Sequence, residues 1–405
     1  MRWPAASVCC VILGFLCAPF AFAQANDWPQ WRGPKHDGIS SEQNWLKPWS
    51  ADGPKRLWKA NVGIGFSSVS VSAGRVFTMG NTITNVDTVW CLDAASGRVL
   101  WTNSYPCALD PKYYEGGPGA TPTIDGDRVF TFSKKGHVLC IDAASGKTIW
   151  SRNIADELSL KLPEWSFAGS AHVEGDLVIL NAGSAGTALD KKTGRIIWSS
   201  SPEPSGYATP VPFEMNDQRT VAIFSAKALV AVNPRTGRTL WDFPWETGRD
   251  VNAADPIVRG DRIFISSSTG AALLQVRSNQ VTAVWNKPNF MRNYFNPSVL
   301  LGDFLYGIDG TTHRPTALAC VDFNTGERKW SQSNFGSGAL MAADNKLIIL
   351  DKGELIIADA TPEKYTERAR AQVIGGKCWT APVLANGRVY CRNAVGDLVC
   401  LQVGE

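Results

Sequence analysis

Cys91-Leu-Asp-Ala-Ala-Ser-Gly-Arg-Val-Leu-Trp101 recurs position for position as Cys140-Ile-Asp-Ala-Ala-Ser-Gly-Lys-Thr-Ile-Trp150 and as Ala188-Leu-Asp-Lys-Lys-Thr-Gly-Arg-Ile-Ile-Trp198. Ala231-Val-Asn-Pro-Arg-Thr-Gly-Arg-Thr-Leu-Trp241 and Cys320-Val-Asp-Phe-Asn-Thr-Gly-Glu-Arg-Lys-Trp330 continue the series, and Trp285 closes a degraded copy. A period of roughly 45 residues is that of a propeller blade. Asp or Asn followed by Ser or Thr can hydrogen-bond the nearby backbone, and the next Gly accepts a positive φ, so the motif is a tight turn between two strands. The Trp that ends the second strand offers a rigid apolar face and one N–H donor, which suits it to wedge between neighbouring blades. Trp58, Trp101, Trp150, Trp198, Trp241, Trp285 and Trp330 are accordingly read as docking residues.

Upstream of each motif lie strand pairs joined by Asp-Gly-Asp or Arg-Gly-Asp turns, as in 120–132 and 255–265. One unit is then four strands, and the reading is an all-β, eight-bladed β-propeller. The last unit, from Trp379 to Gln402, stops before an outer strand, whereas 56–62 is an outer strand with no blade before it. Pairing the two would close the ring and cover two sheet edges. Seven blades is the alternative, because Ala358-Asp-Ala-Thr-Pro-Glu363 lacks both the Gly and the Trp.

Composition agrees with an ordered β protein: 44% hydrophobic and 19% charged residues, with 16 Trp and 37 Gly favouring many short strands. Forty basic against 37 acidic residues give +3, scattered along the chain, which speaks against nucleic acid or an anionic membrane as partner. Residues 1–25 read as an export signal, with Arg2, a short apolar run from Val8 to Leu16, and Ala21-Phe22-Ala23 before the cleavage point. The expected organisation is signal 1–25, an N-terminal clasp 26–54 and the propeller 55–405, exported to the periplasm or beyond, monomeric and without a membrane span. Lipid attachment at Cys17 is the lesser alternative, since Gly14-Phe15-Leu16 lacks the small residues such a site carries.

Seven cysteines follow the signal, an odd number that argues against a fully paired framework. Cys91, Cys140, Cys320 and Cys400 share the repeat position held elsewhere by Ala, as small buried side chains do. Cys391 and Cys400 flank one turn and are a candidate cross-hairpin disulfide.

The pattern Ala-x-Asp-x-x-Thr-Gly-x-x-x-Trp resembles the PQQ-like repeat family, which includes quinoprotein alcohol dehydrogenases and the propeller lipoprotein of the outer-membrane assembly machine. The segment Asp27-Trp-Pro-Gln-Trp-Arg-Gly-Pro34, with His36-Asp37-Gly38, also looks like the N-terminus of exported PQQ-like proteins. On packing grounds it is an aromatic clasp over one end of the ring.

Two functions follow. The first is a non-catalytic binding or scaffolding propeller of the cell envelope that engages a protein or small ligand, because no catalytic constellation is present and a rigid ring with variable loops is a binding scaffold. Loops from each outer strand to the next inner strand emerge on one face, so Tyr114, Glu115, Glu164, Trp165, Tyr207, Arg249, Asp250, Asn252, Arg292, Tyr294 and Asn296 are the candidate funnel residues. The second, implied by the resemblance, is a quinoprotein dehydrogenase using PQQ and calcium. Its calcium would draw on Glu115, Glu164, Asp250 and Asp255 with Asn252 or Asn296. The adjacent cysteines that such enzymes place over PQQ occur here only as Cys9-Cys10, in the signal, so no cofactor and no metal is the leading expectation. His36, His137, His172 and His313 are isolated, and no phosphate loop or nucleophile elbow occurs.

Overall fold

The computed structural model describes residue 1 and residues 26–50, 52–83, 85–215, 217–278 and 280–404. The export-signal reading of 2–25 lies outside these residues. Eight blades of four antiparallel strands succeed one another around a ring, and Ile39–Ser40 adds a fifth, parallel strand to the inner edge of the seventh. Blades 1 to 7 occupy 70–106, 123–153, 172–199, 211–244, 257–288, 299–335 and 339–372. Blade 8 takes Val383–Ala385, Arg388–Arg392 and Asp397–Gln402, and its outer strand is Lys55–Asn61 from the other end of the chain. The weak copy in blade 7 folds like the rest, with Glu367–Gln372 as its outer strand. No helix among the described residues is long and apolar enough to cross a membrane.

The docking tryptophans show why the motif needs its Gly. A Cβ on Gly146 would lie 2.6 Å from the Trp101 ring, and Gly97, Gly194, Gly237 and Gly326 meet Trp58, Trp150, Trp198 and Trp285 in the same way. Each of these glycines also has φ near +70°, so two independent constraints select the residue. The indole N–H of Trp101 donates to the carbonyl of Ala143 in the next blade at 3.0 Å, and Trp58 closes the ring likewise onto Ala94 at 3.0 Å. Trp241 departs from the rule, pointing its N–H at the Met215 sulfur, because blade 5 has no motif turn to offer a carbonyl. A register shift accompanies the docking position in every blade, and such a bulge turns the side chain out of the pleat toward the neighbour. Ala369 stands where blade 7 would carry its Trp, opposite Ile357, and Trp45 and Trp49 from the N-terminal segment join the same apolar cluster.

Ring closure carries a second device. Arg392 is 1% exposed, and its guanidinium donates to the carbonyls of Ser67, Met79 and Gly63 and to the Thr78 hydroxyl at 2.6–2.9 Å. Burial draws its pKa down to about 9. The candidate disulfide is corrected here: Cys391 sits opposite Val399 and Cys400 opposite Tyr390, so the two thiols alternate to opposite faces of the blade.

Candidate functional site

The inner strands set the axis. At their entrances in blades 1 to 5 stand Ser68, Thr121, Ser170, Thr209 and Asp255. The Ser68 N–H donates to Thr121 Oγ1 (3.1 Å), Thr121 N–H to Ser170 Oγ (2.9 Å), Ser170 N–H to Thr209 Oγ1 (3.0 Å), and Thr209 N–H to Asp255 Oδ1 (2.8 Å). This relay ties five blades together around the channel, and its last acceptor is a carboxylate where the other positions carry hydroxyls. Burial pushes the Asp255 carboxyl up to about 6, against the opposing pull of the Arg32 charge and the two donors it accepts from.

The second donor comes from the N-terminal segment. Trp28 exchanges backbone hydrogen bonds with Val71 of blade 1, and Pro29 accepts from Ile124 of blade 2. Trp31 Nε1 then donates to Asp255 Oδ2 at 2.6 Å, Arg32 reaches the Ser298 carbonyl of blade 6, and Ile39–Ser40 runs parallel to the inner strand of blade 7. The segment therefore crosses the axis on the face of the tight turns and stops the channel. It is sealed by polar contacts: Gln30 Nε2 lies 2.9 Å from His36 Nε2, His36 meets His172 edge to face at 4.9 Å, and His172 Nε2 is 3.1 Å from Glu174, which Arg219 also holds. Burial brings His36 down to about 3, with His172 and Arg32 adding repulsion. Burial also lowers His172.

Above this floor opens a cavity of about 1070 Å³, with Trp31 and Asp255 among its lining residues. Five rings form a continuous arc along one wall: Tyr114 packs on Phe66 at 5.5 Å, Phe66 on Trp379 at 5.6 Å, Trp379 on Phe295 at 5.1 Å and Phe295 on Tyr294 at 5.3 Å. Trp165 and Tyr207 pair on another part of the wall, with the Arg249 guanidinium 6.0 Å from the Trp165 ring. Lys134 is buried, bonds the Tyr114 hydroxyl at 2.8 Å and is brought down to about 8 by desolvation.

Of the candidate residues read from the sequence, Tyr114, Trp165, Tyr207, Arg249, Tyr294 and Asn296 line this cavity. Glu115, Glu164, Asp250, Asn252 and Arg292 are not among its lining. Glu115 pairs with Lys377 at 2.9 Å, Asp250 with Lys227 at 2.6 Å, and Glu164 has Arg249 at 3.8 Å. Asn252 is fully buried, its amide bonding the carbonyls of Ser225, Ala226 and Trp245. Arg292 is taken by Asp309 at 3.2 Å. The sequence reading missed Trp31, Phe66, Lys134, Arg314 and Trp379. The one available signal was Trp31, in a stretch already read as a clasp.

A calcium set does not assemble from these groups. Asp255 has Trp31 and Thr209 on its two oxygens, and the other three carboxylates face cations. Among the described residues no group of three or more His, Cys, Asp or Glu side chains is arranged to hold a metal ion.

The family model described as Outer membrane protein assembly factor BamB matches residues 88–332. Among solved structures, BamB from Moraxella catarrhalis is 16% identical, covering 86% of this chain and 97% of its own, with a TM-score of 0.62. The quinohemoprotein alcohol dehydrogenase from Comamonas testosteroni is 15% identical over 94% of this chain and 81% of its own, at 0.69. A europium-containing methanol dehydrogenase is 13% identical over 92% and 90%, also at 0.69. At such identities the likeness is one of fold, and it embraces an assembly factor and enzymes alike. No curated relative matches the chain.

Proposed function

The chain belongs to the PQQ-like propeller family whose model is described as outer membrane protein assembly factor BamB, and from that premise we propose that it is a non-catalytic binding propeller of the cell envelope that holds a protein partner at its funnel. The observation that carries this reading is the funnel itself: a cavity of about 1070 Å³, stopped at one end and walled by aromatic side chains on a rigid ring. Tyr, Trp and Arg at the mouth of a pre-formed concavity are the residue types that dominate binding energy at protein interfaces. Export to the envelope and a monomeric ring are part of the same proposal.

The experiment is capture of envelope proteins on the immobilised chain, with identification by mass spectrometry, beside a Trp165→Ala, Trp379→Ala variant of unchanged melting temperature. A single species retained by the parent and lost by the variant is the expected result. Identical capture by both would remove the funnel as the binding site. The dehydrogenase alternative would need Asp255 and its neighbours to give up their present partners. Titration with PQQ and calcium, followed by dye reduction with short alcohols, tests it directly.

A further inference from the structure

The funnel is asymmetric in charge. Four cationic side chains line it, Lys112, Lys134, Arg249 and Arg314; Asp110 stands 3.9 Å from Lys134 and Glu164 3.8 Å from Arg249 behind the wall, and the one carboxylate in the lining is Asp255, whose oxygens are already engaged. Arg314 is exposed, and its guanidinium has no hydrogen-bond or ion-pair partner among the described residues. Arg249 is 60% exposed, with its Glu164 neighbour at a loose 3.8 Å, and the Lys112 ammonium bonds a backbone carbonyl. Cations left open beside an aromatic wall attract an anion that also carries an apolar group.

The lip adds a second, independent observation. Tyr113 there is 86% exposed, and beyond it Ile83 is 83% and Val395 53% exposed. Ile83 and Val395 sit on links between second and third strands, which in a four-stranded antiparallel blade emerge on the same face as the outer-to-inner loops. Exposed apolar surface thus also stands outside the funnel, on blades 8 and 1. A ligand confined to the cavity would leave it bare, whereas a polypeptide whose tip enters the cavity would cover it.

We propose that the funnel receives the acidic, aromatic-bearing tip of a partner polypeptide, its carboxylates meeting Arg249 and Arg314 and its ring packing on the arc of Phe66, Trp379 and Phe295. Because the floor is stopped by Trp31, the segment enters and ends there; it does not thread the ring. This inference rests on the binding reading above and narrows it to one class of partner.

The test is fluorescence anisotropy of the purified full chain with a labelled peptide Gly-Asp-Trp-Asp-Glu-Phe, its Asn/Gln counterpart, and an oligogalacturonate of similar length. The acidic peptide should saturate, and the Asn/Gln peptide should bind about tenfold more weakly, roughly 1.4 kcal/mol. Arg314→Glu should cost about as much again, while Arg235→Glu, on the face of the tight turns, should change nothing. Equal binding of both peptides would overturn the anionic component. Binding of the oligogalacturonate alone would replace the polypeptide by an acidic glycan. If no peptide binds and yet Trp165→Ala, Trp379→Ala still abolishes envelope capture, this inference falls and the binding reading survives. If capture is insensitive to that variant, both fall.

Discussion

Around the perimeter of the ring one contact is made again and again. Trp58, Trp101, Trp150, Trp198, Trp285 and Trp330 each donate an indole N–H to a turn carbonyl of the next blade at 2.8–3.0 Å. Along the axis the hydroxyl relay covers only five blades and ends on Asp255, and the plug that stops the channel uses a Trp, an Arg and a histidine pair once each. The perimeter contact itself joins an apolar ring to a neutral carbonyl, and the turn carboxylates Asp93, Asp142 and Asp190 are held below the usual carboxylate range by Ser96, Ser145 and Thr193, so pH between 7 and 5 should scarcely touch it. The axis is built of titratable groups held in neutral or strained charge states. Stability against truncation should therefore reside at the perimeter and sensitivity to acid at the axis.

The largest effect that could break this division is acid itself. His36 is held near 3 in the fold by burial among His172, Arg32 and Arg219, whereas an unfolded histidine titrates near 6.5. Below 6.5 the unfolded chain takes up a proton that the folded one refuses, so stability is lost as pH falls toward 3, by on the order of 4 kcal/mol. His172, lowered by burial, acts in the same direction. Asp255 opposes them: raised to about 6, it takes up its proton in the fold before the unfolded chain does, which adds about 3 kcal/mol as pH falls from 6 to below 4. The histidines prevail, and the urea midpoint should drop between pH 7 and pH 4. His36→Gln should flatten that drop and Asp255→Asn should steepen it. A midpoint independent of pH in all three proteins would erase the distinction between axis and perimeter.

Next in size is the perimeter contact. Trp101→Ala removes a 9%-exposed side chain and its bond to Ala143, and should cost about 3–5 kcal/mol in chemical denaturation, equally at pH 7 and pH 5. A cost that changes with pH would mean that the belt and the axis are coupled.

This division also explains what the sequence made legible. The turn glycine and the Trp repeat because each blade meets the same steric demand, so the blade count, the closure by Lys55–Asn61 and the weak blade 7 could all be read from spacing. The funnel could be read only in part. Tyr114 and Trp165 lie on loops that the topology sends to one face, but Trp31 meets Asp255 across 224 residues and Phe66 meets Trp379 across the ring seam. Asn252 and Arg292 look identical in sequence to exposed loop residues, and what removes them from the funnel is the capture of their side chains by backbone carbonyls and by Asp309. No local pattern records such captures.

A smaller effect sharpens the perimeter. Gly146→Ala meets both the φ of +73° and the Trp101 ring at 2.6 Å, so about 2–4 kcal/mol should be lost. Gly126 has φ of +59° with nothing within 4 Å, and Gly126→Ala should cost only about 1 kcal/mol. Equal melting temperatures for the two variants would show that the indole does not rest on the turn.

The smallest effect isolates the floor. Trp31→Phe keeps an aromatic ring over the channel but deprives Asp255 Oδ2 of its donor, leaving a buried carboxylate oxygen unsatisfied. The loss should be about 1–2 kcal/mol at pH 7. It should shrink toward pH 5, because a protonated carboxyl needs the indole less than a charged one does, and removing a donor to the charged form pushes the Asp255 pKa further up. This is opposite in sign to the acid response of the histidines, so the same urea titration separates the two halves of the plug. If Trp31→Phe instead loses as much stability at pH 5 as at pH 7, the indole serves the fold by packing alone, and the hydrogen bond to Asp255 contributes nothing to closing the channel.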